Sequence, residues 1–120
     1  MLTKNDFRLR INENIVGYQR QSGNYTFYSK DLFHWSGKPI DYLQKDRCTT
    51  YKDRDDKWLF EEDIIQSTDY PSKCYIVTFD TLLTKFLLVE LQDEVIFDQS
   101  FELFFKDKRK IQRLSFRFIN

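Results

Sequence analysis

Apolar and polar residues alternate at both ends of the chain, with the period of a half-buried β-strand. From residue 6 to residue 11, one face carries apolar side chains and the other carries charges: Phe7, Leu9 and Ile11 against Asp6, Arg8 and Arg10. The same alternation returns over residues 114–118. We therefore expect an opening strand with its apolar face toward the core, and a closing strand that ends the chain.

Turn residues divide the first half of the chain into short segments. A polar turn at 12–14 and the cluster Ser22, Gly23, Asn24 separate three apolar segments, because Gly and Asn accept positive φ at little cost. This spacing predicts two successive hairpins. Residues 31–47 have no clear period and contain a strong break at 36–39, so we expect an irregular excursion there.

The most specific stretch is TTYKDRDDKWLFEEDII, residues 49–65, which we call the corner. A polar reversal at 53–57 stands between a strand-like segment and an aromatic one, and a further strand pattern begins at Asp63. We expect the Asp63 carboxylate to accept backbone N–H groups that hold the corner. The residues predicted to build the corner are Thr49, Asp53, Asp56, Trp58, Phe60, Asp63 and Ile64.

The second half of the chain contains a predicted hairpin and one ambiguous segment. A loop at 68–72 separates a strand at 63–66 from a central strand at 74–79. Residues 80–93 fit either a helix capped by Asp80 or a buried strand over 85–91. Helical spacing of Phe101, Phe104 and Phe105 behind Asp98 and Ser100 predicts one short helix within residues 98–107.

Composition favours a mainly β protein in one domain spanning residues 1–120. The chain contains twelve Phe and seven Tyr but no Ala, and flat or branched side chains suit a pleated surface. A length of 120 residues is enough for one hydrophobic core without stabilising metals or disulfides. A second domain is not expected.

Charge and cysteine content exclude several classes of function. Nineteen basic and nineteen acidic residues cancel, which disfavours bulk attraction to nucleic acid or to a membrane surface. No signal peptide and no membrane-spanning run are found, so a cytoplasmic location is predicted, with Cys48 and Cys74 as reduced thiols. One His and two Cys cannot supply four nitrogen or sulfur ligands to a structural zinc ion, and no metal or cofactor is predicted.

The corner resembles the signature of the YopX family of phage and prophage proteins, which runs approximately TGLKDKNGKEIYEGDIV. Seven positions agree by identity without a gap: Thr49, Lys52, Asp53, Lys57, Glu61, Asp63 and Ile64. Two weaker similarities flank it, FRLRI at 7–11 with the family's FRAWD and IQRLSFRFIN at 111–120 with its closing VIGNIYEN, where Asn120 takes the place of the last Asn. The resemblance implies a compact β-rich domain with a small SH3-like barrel, and it transfers no catalytic residues.

The chain departs from that signature at its three glycines, which are replaced by Thr50, Asp56 and Glu62. Either these positions do not need positive φ, or Asp56 adopts it with the modest strain that Asp tolerates. We therefore regard the relation as distant.

Acidic clusters are the first candidates for chemistry. A calcium loop starting at Asp53 would need Gly and a carboxylate where the chain has Trp58 and Ile64, so Asp53, Asp55 and Asp56 are predicted to form a solvated turn. On a strand, Glu61 and Asp63 would share a face that excludes Glu62. An enzyme of this kind would need a pocket that joins at least two of Asp53, Glu61 and Asp63 with raised pKa values.

The sequence gives even less support to nucleophilic catalysis or to a phosphate-binding loop than to acidic catalysis. His34 is the only imidazole, and nothing in its spacing to Cys48, Cys74 or a Ser indicates a catalytic pair, so we expect a half-exposed packing residue. The three glycines are well separated and form no phosphate-binding loop. No catalytic residue is predicted, and the chain is expected not to be an enzyme.

The densest basic run lies at 106–110, shortly before the last strand. Its cations, with aromatic residues from the 25–35 region, could form a nucleic-acid or partner surface of stacked rings beside phosphate contacts. The residues of this candidate surface are Lys106, Lys108, Arg109, Lys110 and Trp35. The alternative is a solvated loop with ordinary core aromatics, which the neutral net charge favours.

Three functions remain, and we give them in decreasing order of support from the sequence. The first is a phage or prophage accessory protein, a non-enzymatic module that binds a host or phage macromolecule. The second is a nucleic-acid-binding β-barrel, and the third an enzyme with acidic catalytic residues. A homodimer through a strand edge or an exposed aromatic patch is compatible with all three.

Overall fold

Antiparallel strands dominate the computed structural model, which describes residues 1–97 and 100–117. One helical turn, α1, spans Phe101–Phe104, and a 3-10 turn spans Lys108–Lys110. The strands in chain order are β1 Asp6–Ile11, β2 Asn14–Ser22, β3 Tyr25–Ser29, β4 Gln44–Lys52, β5 Trp58–Phe60, β6 Asp63–Ser67, β7 Tyr75–Asp80, β8 Lys85–Glu90 and β9 Ile111–Phe116. The prediction of a mainly β chain with one short helix is confirmed.

The first sheet has five strands in the order β3-β2-β1-β4-β5. The two predicted hairpins form its β1-β2-β3 part, with turns at Asn12 (φ 55°) and Gly23 (φ 60°). A side chain at Gly17 would place its Cβ 2.7 Å from Ile40 Cδ1 and 2.9 Å from the Ser29 carbonyl, so the excursion packs closely on β2. Residues 45–47 were expected to belong to that excursion, but they form the start of β4.

The second sheet has four strands in the order β8-β7-β6-β9. Residues 80–93 fitted either a helix or a strand, and the strand is correct: Asp80 ends β7, residues 81–84 form a turn, and β8 follows. Asp80 Oδ1 accepts the amides of Leu82 and Leu83 at 2.9 and 3.1 Å, which fixes this turn instead of capping a helix. The predicted short helix is α1, where Ser100 Oγ accepts the Leu103 amide at 3.2 Å. Asp98, the other predicted capping residue, lies outside the described residues.

The main hydrophobic core lies mostly on the second sheet, with Leu59 added from β5, and a smaller cluster lies on the first sheet. The main core is filled by Leu59, Ile65, Tyr75, Val77, Leu88, Phe105 and Ile111, and the smaller cluster by Leu2, Cys48 and Phe60. Backbone hydrogen bonds join the sheets, from Arg54 N to Ile111 O at 2.9 Å and from Glu62 N to Val77 O at 2.8 Å. The described strand pairing gives two sheets, and the SH3-like barrel stays a prediction.

The opening strand has the predicted bounds, but its charged face is the more deeply buried one. Asp6, Arg8 and Arg10 are at most 1% exposed, whereas Phe7 and Ile11 are only half-buried. The prediction of a half-buried strand with an exposed charged face is therefore wrong, because charged partners on other strands receive these side chains and Leu9 of the apolar face is buried as well.

The closing strand β9 ends at Phe116, so Arg117, which was predicted to belong to it, lies beyond its end. Phe118 and Asn120 lie outside the described residues. Within the described part of the chain, no helix has the length and apolar character needed to cross a membrane.

Candidate functional site

A buried cluster of charges connects the two sheets, and the corner supplies one of its members, Asp63. Arg8 and Arg10 of β1 and Asp46 of β4 come from the first sheet, and Asp63 of β6 comes from the second. Arg8 Nε and Arg10 Nε lie 2.9 and 2.6 Å from Asp46 Oδ2, and Arg8 Nη1 lies 2.5 Å from Asp63 Oδ1. Two cations thus face two carboxylates in the interior, which limits the desolvation cost of each.

Aromatic rings enclose this charge cluster. The Arg8 guanidinium carbon lies 5.0 Å from the centre of the Phe60 ring and 4.8 Å from that of Phe116, and Arg10 lies 4.8 Å from Phe116. Ring faces attract cations most strongly where water is excluded. Because Phe60 and Phe116 belong to different sheets, these contacts add to the joint between them.

The pKa values in the cluster reflect opposing effects of burial and pairing. Burial lowers the pKa of Arg8, but Asp63 and Asp46 act more strongly together and raise it above its ordinary value. Burial raises the pKa of Asp63, and Arg8 and the Phe60 amide oppose that change. We assign Asp63 as an ionised partner of Arg8, because two donors at 2.5 and 2.7 Å satisfy its carboxylate.

The carboxylates of Asp63 and Asp53 also bind backbone. Asp63 Oδ2 accepts the Phe60 amide at 2.7 Å, the type of bond predicted for it. Asp53 Oδ1 accepts the amides of Asp55 and Lys57 at 2.9 and 3.0 Å, and its Oδ2 accepts that of Arg113 at 3.1 Å. The predicted solvated turn is thus correct for the exposed Asp55 and Asp56 and wrong for Asp53, which is 0% exposed.

Three residues of the corner have left-handed backbone conformations. The φ angles are 68° at Thr50, 58° at Asp56 and 77° at Glu62. These are the three positions at which the YopX signature has glycine. Left-handed conformation is uncommon outside glycine, and for a β-branched residue such as Thr50 it is a genuine outlier. The expectation that at most Asp56 adopts positive φ is therefore wrong.

The acidic residues 61–63 do not form the strand face that was considered for an enzyme. Glu61 and Glu62 lie in a turn, and Glu62 pairs with Arg117 at 2.8 Å. Glu61 accepts the Arg47 amide at 3.3 Å, and burial raises its pKa. A cavity of about 410 Å³ borders Glu61, Glu62 and Asp46, so it does not join two of Asp53, Glu61 and Asp63.

The basic run predicted as a nucleic-acid surface is largely neutralised by nearby acids. Lys108 pairs with Asp56, Arg109 Nη2 lies 3.0 Å from Asp107, and Lys110 Nζ lies 3.1 Å from Asp69. Lys106 shares an open depression with Arg109, Lys110 and the acids Asp69 and Asp107. The run therefore presents mixed charge to solvent.

Trp35 belongs to a different part of the molecule from the basic run. Its ring packs on the cluster of Leu2, Cys48 and Phe60, and its Nε1 donates to the Leu32 carbonyl at 3.2 Å. The Arg20 guanidinium lies 4.1 Å from the centre of the Trp35 ring. Its neighbours thus place Trp35 in the smaller core and not on a ring surface beside the run.

His34 is far more exposed than the half-exposed packing residue we expected. Its side chain is 89% exposed, and Nδ1 lies 2.6 Å from Asp31 Oδ2. Asp31 also accepts the amides of Phe33 and His34, and the His34 hydrogen bonds hold the pKa of its carboxyl well below the usual range. The pair lines an open cavity of about 490 Å³ at the excursion. No nucleophile is hydrogen-bonded to the imidazole among the described residues.

A cleft that the sequence did not indicate lies between the two sheets. It has a volume of about 400 Å³ and is lined by Thr50 and Tyr51 of the first sheet, by Lys85 and Phe86 of the second, and by Phe101 of α1. Tyr51 and Phe86 lie 5.6 Å from Phe101 between ring centres. The rings come from segments about 35 and 15 residues apart in the sequence, so no local pattern could have grouped them.

The turn before β8 exposes two large apolar side chains next to this cleft. Leu82 is 93% exposed and Leu83 is 60% exposed, and the next two residues, Thr84 and Lys85, line the cleft. Adjacent exposed leucines on a tightly hydrogen-bonded turn differ from the scattered apolar residues of an ordinary surface. We call Leu82 and Leu83 the leucine tip.

Metal binding has no support in the described part of the chain, where no three of His, Cys, Asp and Glu come together in a way that could hold an ion. Both cysteines are free thiols, and Cys48 is buried. Burial raises the pKa of Cys48 to about 11, so this thiol is protonated and unreactive at neutral pH.

No protein-family model, curated protein or solved structure gives a significant match to this chain.

Proposed function

We propose that this chain is a non-enzymatic binding module that holds a protein partner through the leucine tip and the adjoining inter-sheet cleft. The proposal keeps the predicted role of a phage or prophage accessory protein acting in the bacterial cytoplasm. The observation that carries it is the exposure of Leu82 and Leu83, at 93% and 60%, on a turn whose backbone Asp80 fixes. A rigid turn loses little entropy when it docks, which favours binding.

The relation to the YopX family gains support from the backbone. Thr50, Asp56 and Glu62, which replace the three glycines of the signature, all have φ between 58° and 77°. A shared corner geometry explains why a related sequence would have glycine there, because glycine adopts this conformation without strain. Agreement at three separate positions is the structural argument for a distant relationship.

The enzyme alternative is less favoured because the strongest acidic candidates already have structural partners. Asp53 binds three backbone amides, and Asp63 binds Arg8 and the Phe60 amide. A carboxylate committed to such bonds is not free to exchange a proton with a substrate. The nucleic-acid alternative is less favoured because Lys108, Arg109 and Lys110 are each paired with an acid.

The test of this proposal is a comparative capture experiment. The full chain, the double variant Leu82→Ser/Leu83→Ser and the control Leu43→Ser are immobilised and exposed to lysate from phage-infected and uninfected bacteria. Leu43 is 74% exposed but lies in the excursion, so its replacement removes one exposed leucine away from the tip. We expect a stoichiometric protein partner that is retained by the wild type and the control and lost by the double variant.

Two results would overturn the proposal. One is the absence of any stoichiometric protein from both lysates. The other is a partner that the double variant retains as well as the wild type does, provided that both variants unfold at the wild-type temperature. Retention of nucleic acid instead of protein would favour the alternative function, a nucleic-acid-binding β-barrel.

A further inference from the structure

The inter-sheet cleft has the features of a receptor for an aromatic side chain. Its ring walls, Tyr51, Phe86 and Phe101, are half-buried, so they present apolar surface to solvent without filling the space between the sheets. Tyr51 meets Phe101 edge to face, and Phe86 stacks on Phe101 at an interplanar angle of 26°. An incoming ring would extend this arrangement in the geometries that aromatic pairs prefer.

The rim of the cleft has a net positive charge. Lys4 and Lys85 line it with a single acid, Glu102. Neither lysine forms an ion pair within the described part of the chain, whereas Lys73, Lys108 and Lys110 each have an acidic partner. Unpaired cations beside an apolar cleft attract a ligand that carries a carboxylate next to its ring.

Hydroxyl groups supply polar contacts at the mouth. Thr50 and Thr84 are exposed at the cleft, and both hold left-handed backbones with φ of 68° and 54°. A β-branched residue in this conformation costs free energy in the folded state. The two threonines therefore place their hydroxyl groups at the mouth of the cleft although glycine would adopt the same backbone conformation at a lower free-energy cost.

We propose that the cleft binds an aromatic side chain followed by an acidic residue, in an extended segment of the protein partner. The ring packs on the exposed sides of Tyr51, Phe86 and Phe101, and the carboxylate meets Lys85 and Lys4. This inference rests on the proposed function and defines the chemistry of the partner.

A peptide fits the surroundings better than a nucleotide does. The leucine tip directly precedes Thr84 of the cleft in the chain, and exposed apolar side chains are typical of protein-binding surfaces. The chain has no net charge, and a nucleic-acid partner would normally require a basic surface larger than two lysines. A mononucleotide is nevertheless the informative competitor, since it also combines a ring with an anion.

The test uses the full chain labelled with ¹⁵N and three capped dipeptides as probes. Acetyl-tryptophanyl-aspartate amide is the ligand mimic, acetyl-alanyl-aspartate amide lacks the ring, and acetyl-tryptophanyl-lysine amide reverses the charge. We expect millimolar binding of the first probe alone, with amide shifts concentrated at Thr50, Thr84 and Lys85. Amides of the β2-β3 turn at Gly23 and Asn24 should stay unchanged.

Matched variants locate the charge contact. Lys85→Glu should weaken binding of the first probe by about tenfold or more, because a repulsive charge replaces a favourable one. Lys38 is an exposed lysine at the excursion cavity, away from the cleft. The control variant Lys38→Glu should therefore leave the affinity for the first probe unchanged. Both are surface substitutions, and an unaltered spectrum away from the mutated residue confirms that each variant is folded.

Three results overturn the inference: chemical-shift changes at amides outside the cleft only, no chemical-shift changes at all, or equal affinity of the wild type and the Lys85→Glu variant for the first probe. Tighter binding of adenosine monophosphate than of the acidic dipeptide assigns the cleft to a nucleotide and also rejects the inference. Failure here is distinguishable from failure of the proposed function. If the leucine-tip variant still loses its captured partner, the binding module stands and only the cleft chemistry is wrong.

Discussion

Arg8 Nη1 of β1 and Asp63 Oδ1 of β6 lie 2.5 Å apart, and their strands belong to different sheets. Both side chains are 0% exposed. A charge pair of this kind is worth little against an apolar replacement, but it is costly to break, because the remaining charge stays buried. The pair is therefore one of the contacts that join the sheets, beside the backbone hydrogen bonds from Arg54 to Ile111 and from Glu62 to Val77.

Replacing Asp63 by Asn should lower the free energy of unfolding by about 3 kcal/mol, because Arg8 would lose its partner on the second sheet. The amide oxygen of Asn can still accept the Phe60 amide, so the loss reports mainly on the charge pair. Urea unfolding measures the change. Asp55→Asn, in the exposed turn of the same corner, should change stability by no more than about 0.5 kcal/mol, and equal losses in both variants would contradict the prediction.

Replacing Thr50 by Gly should stabilise the fold by about 1 kcal/mol, because glycine adopts φ of 68° without the steric cost that a β-branched residue carries. Thermal unfolding should show a rise of about 4 °C. Thr78→Gly is the matched control, since Thr78 lies within β7 and should lose about 1 kcal/mol. A destabilised Thr50→Gly protein would show that the threonine side chain contributes contacts that outweigh the strain.

The two thiols should react at very different rates. Cys48 is 1% exposed and its pKa is raised by burial to about 11, whereas Cys74 is only half-buried. A disulfide reagent at pH 8 should modify one thiol per chain quickly, and Cys74→Ser should remove that fast phase. Rapid modification of Cys48 in the folded Cys74→Ser variant would be inconsistent with its burial.

Ionisation of Cys48 should lower the free energy of unfolding at alkaline pH. The folded state holds Cys48 protonated while the unfolded chain ionises near the ordinary thiol value of about 8.5. This contribution is fully present below that value and is lost as the pH rises toward about 11. Cys48→Ala should therefore flatten the alkaline decline in denaturant midpoint, and an unchanged decline would assign it to other groups.

Reversing the charges of Lys108, Arg109 and Lys110 together should leave nucleic-acid retention unchanged. Each of these cations is already paired, with Asp56, Asp107 and Asp69 respectively, so few counterions would be released on binding. Gel retardation of single- and double-stranded probes at low and physiological salt measures this. Wild-type retention that depends steeply on salt and disappears in the triple variant would establish the nucleic-acid function.

Local pattern was sufficient for most of the strands. The alternation at residues 6–11, the turn chemistry of Ser22, Gly23 and Asn24, and the acidic reversal at 53–57 each depend on residues close in sequence, and each element forms where it was expected. The helical turn at Phe101–Phe104 followed in the same way from the spacing of its rings and the cap at Ser100. The sequence left a helix and a strand open for residues 80–93 because Leu-rich segments satisfy both periods, and the pairing of β8 with β7 decided for the strand.

The sequence by itself determined that this is a mainly β chain with a specific corner, and that charges occupy one face of its first strand. Only the tertiary structure decided that this face is buried, since the partner of Arg8 on the second sheet stands 55 residues away. It also decided that the basic run is neutralised and that three distant rings border one cleft. Strand period and turn type arise from neighbouring residues, whereas burial, charge pairing and clefts arise from strands that meet across the fold.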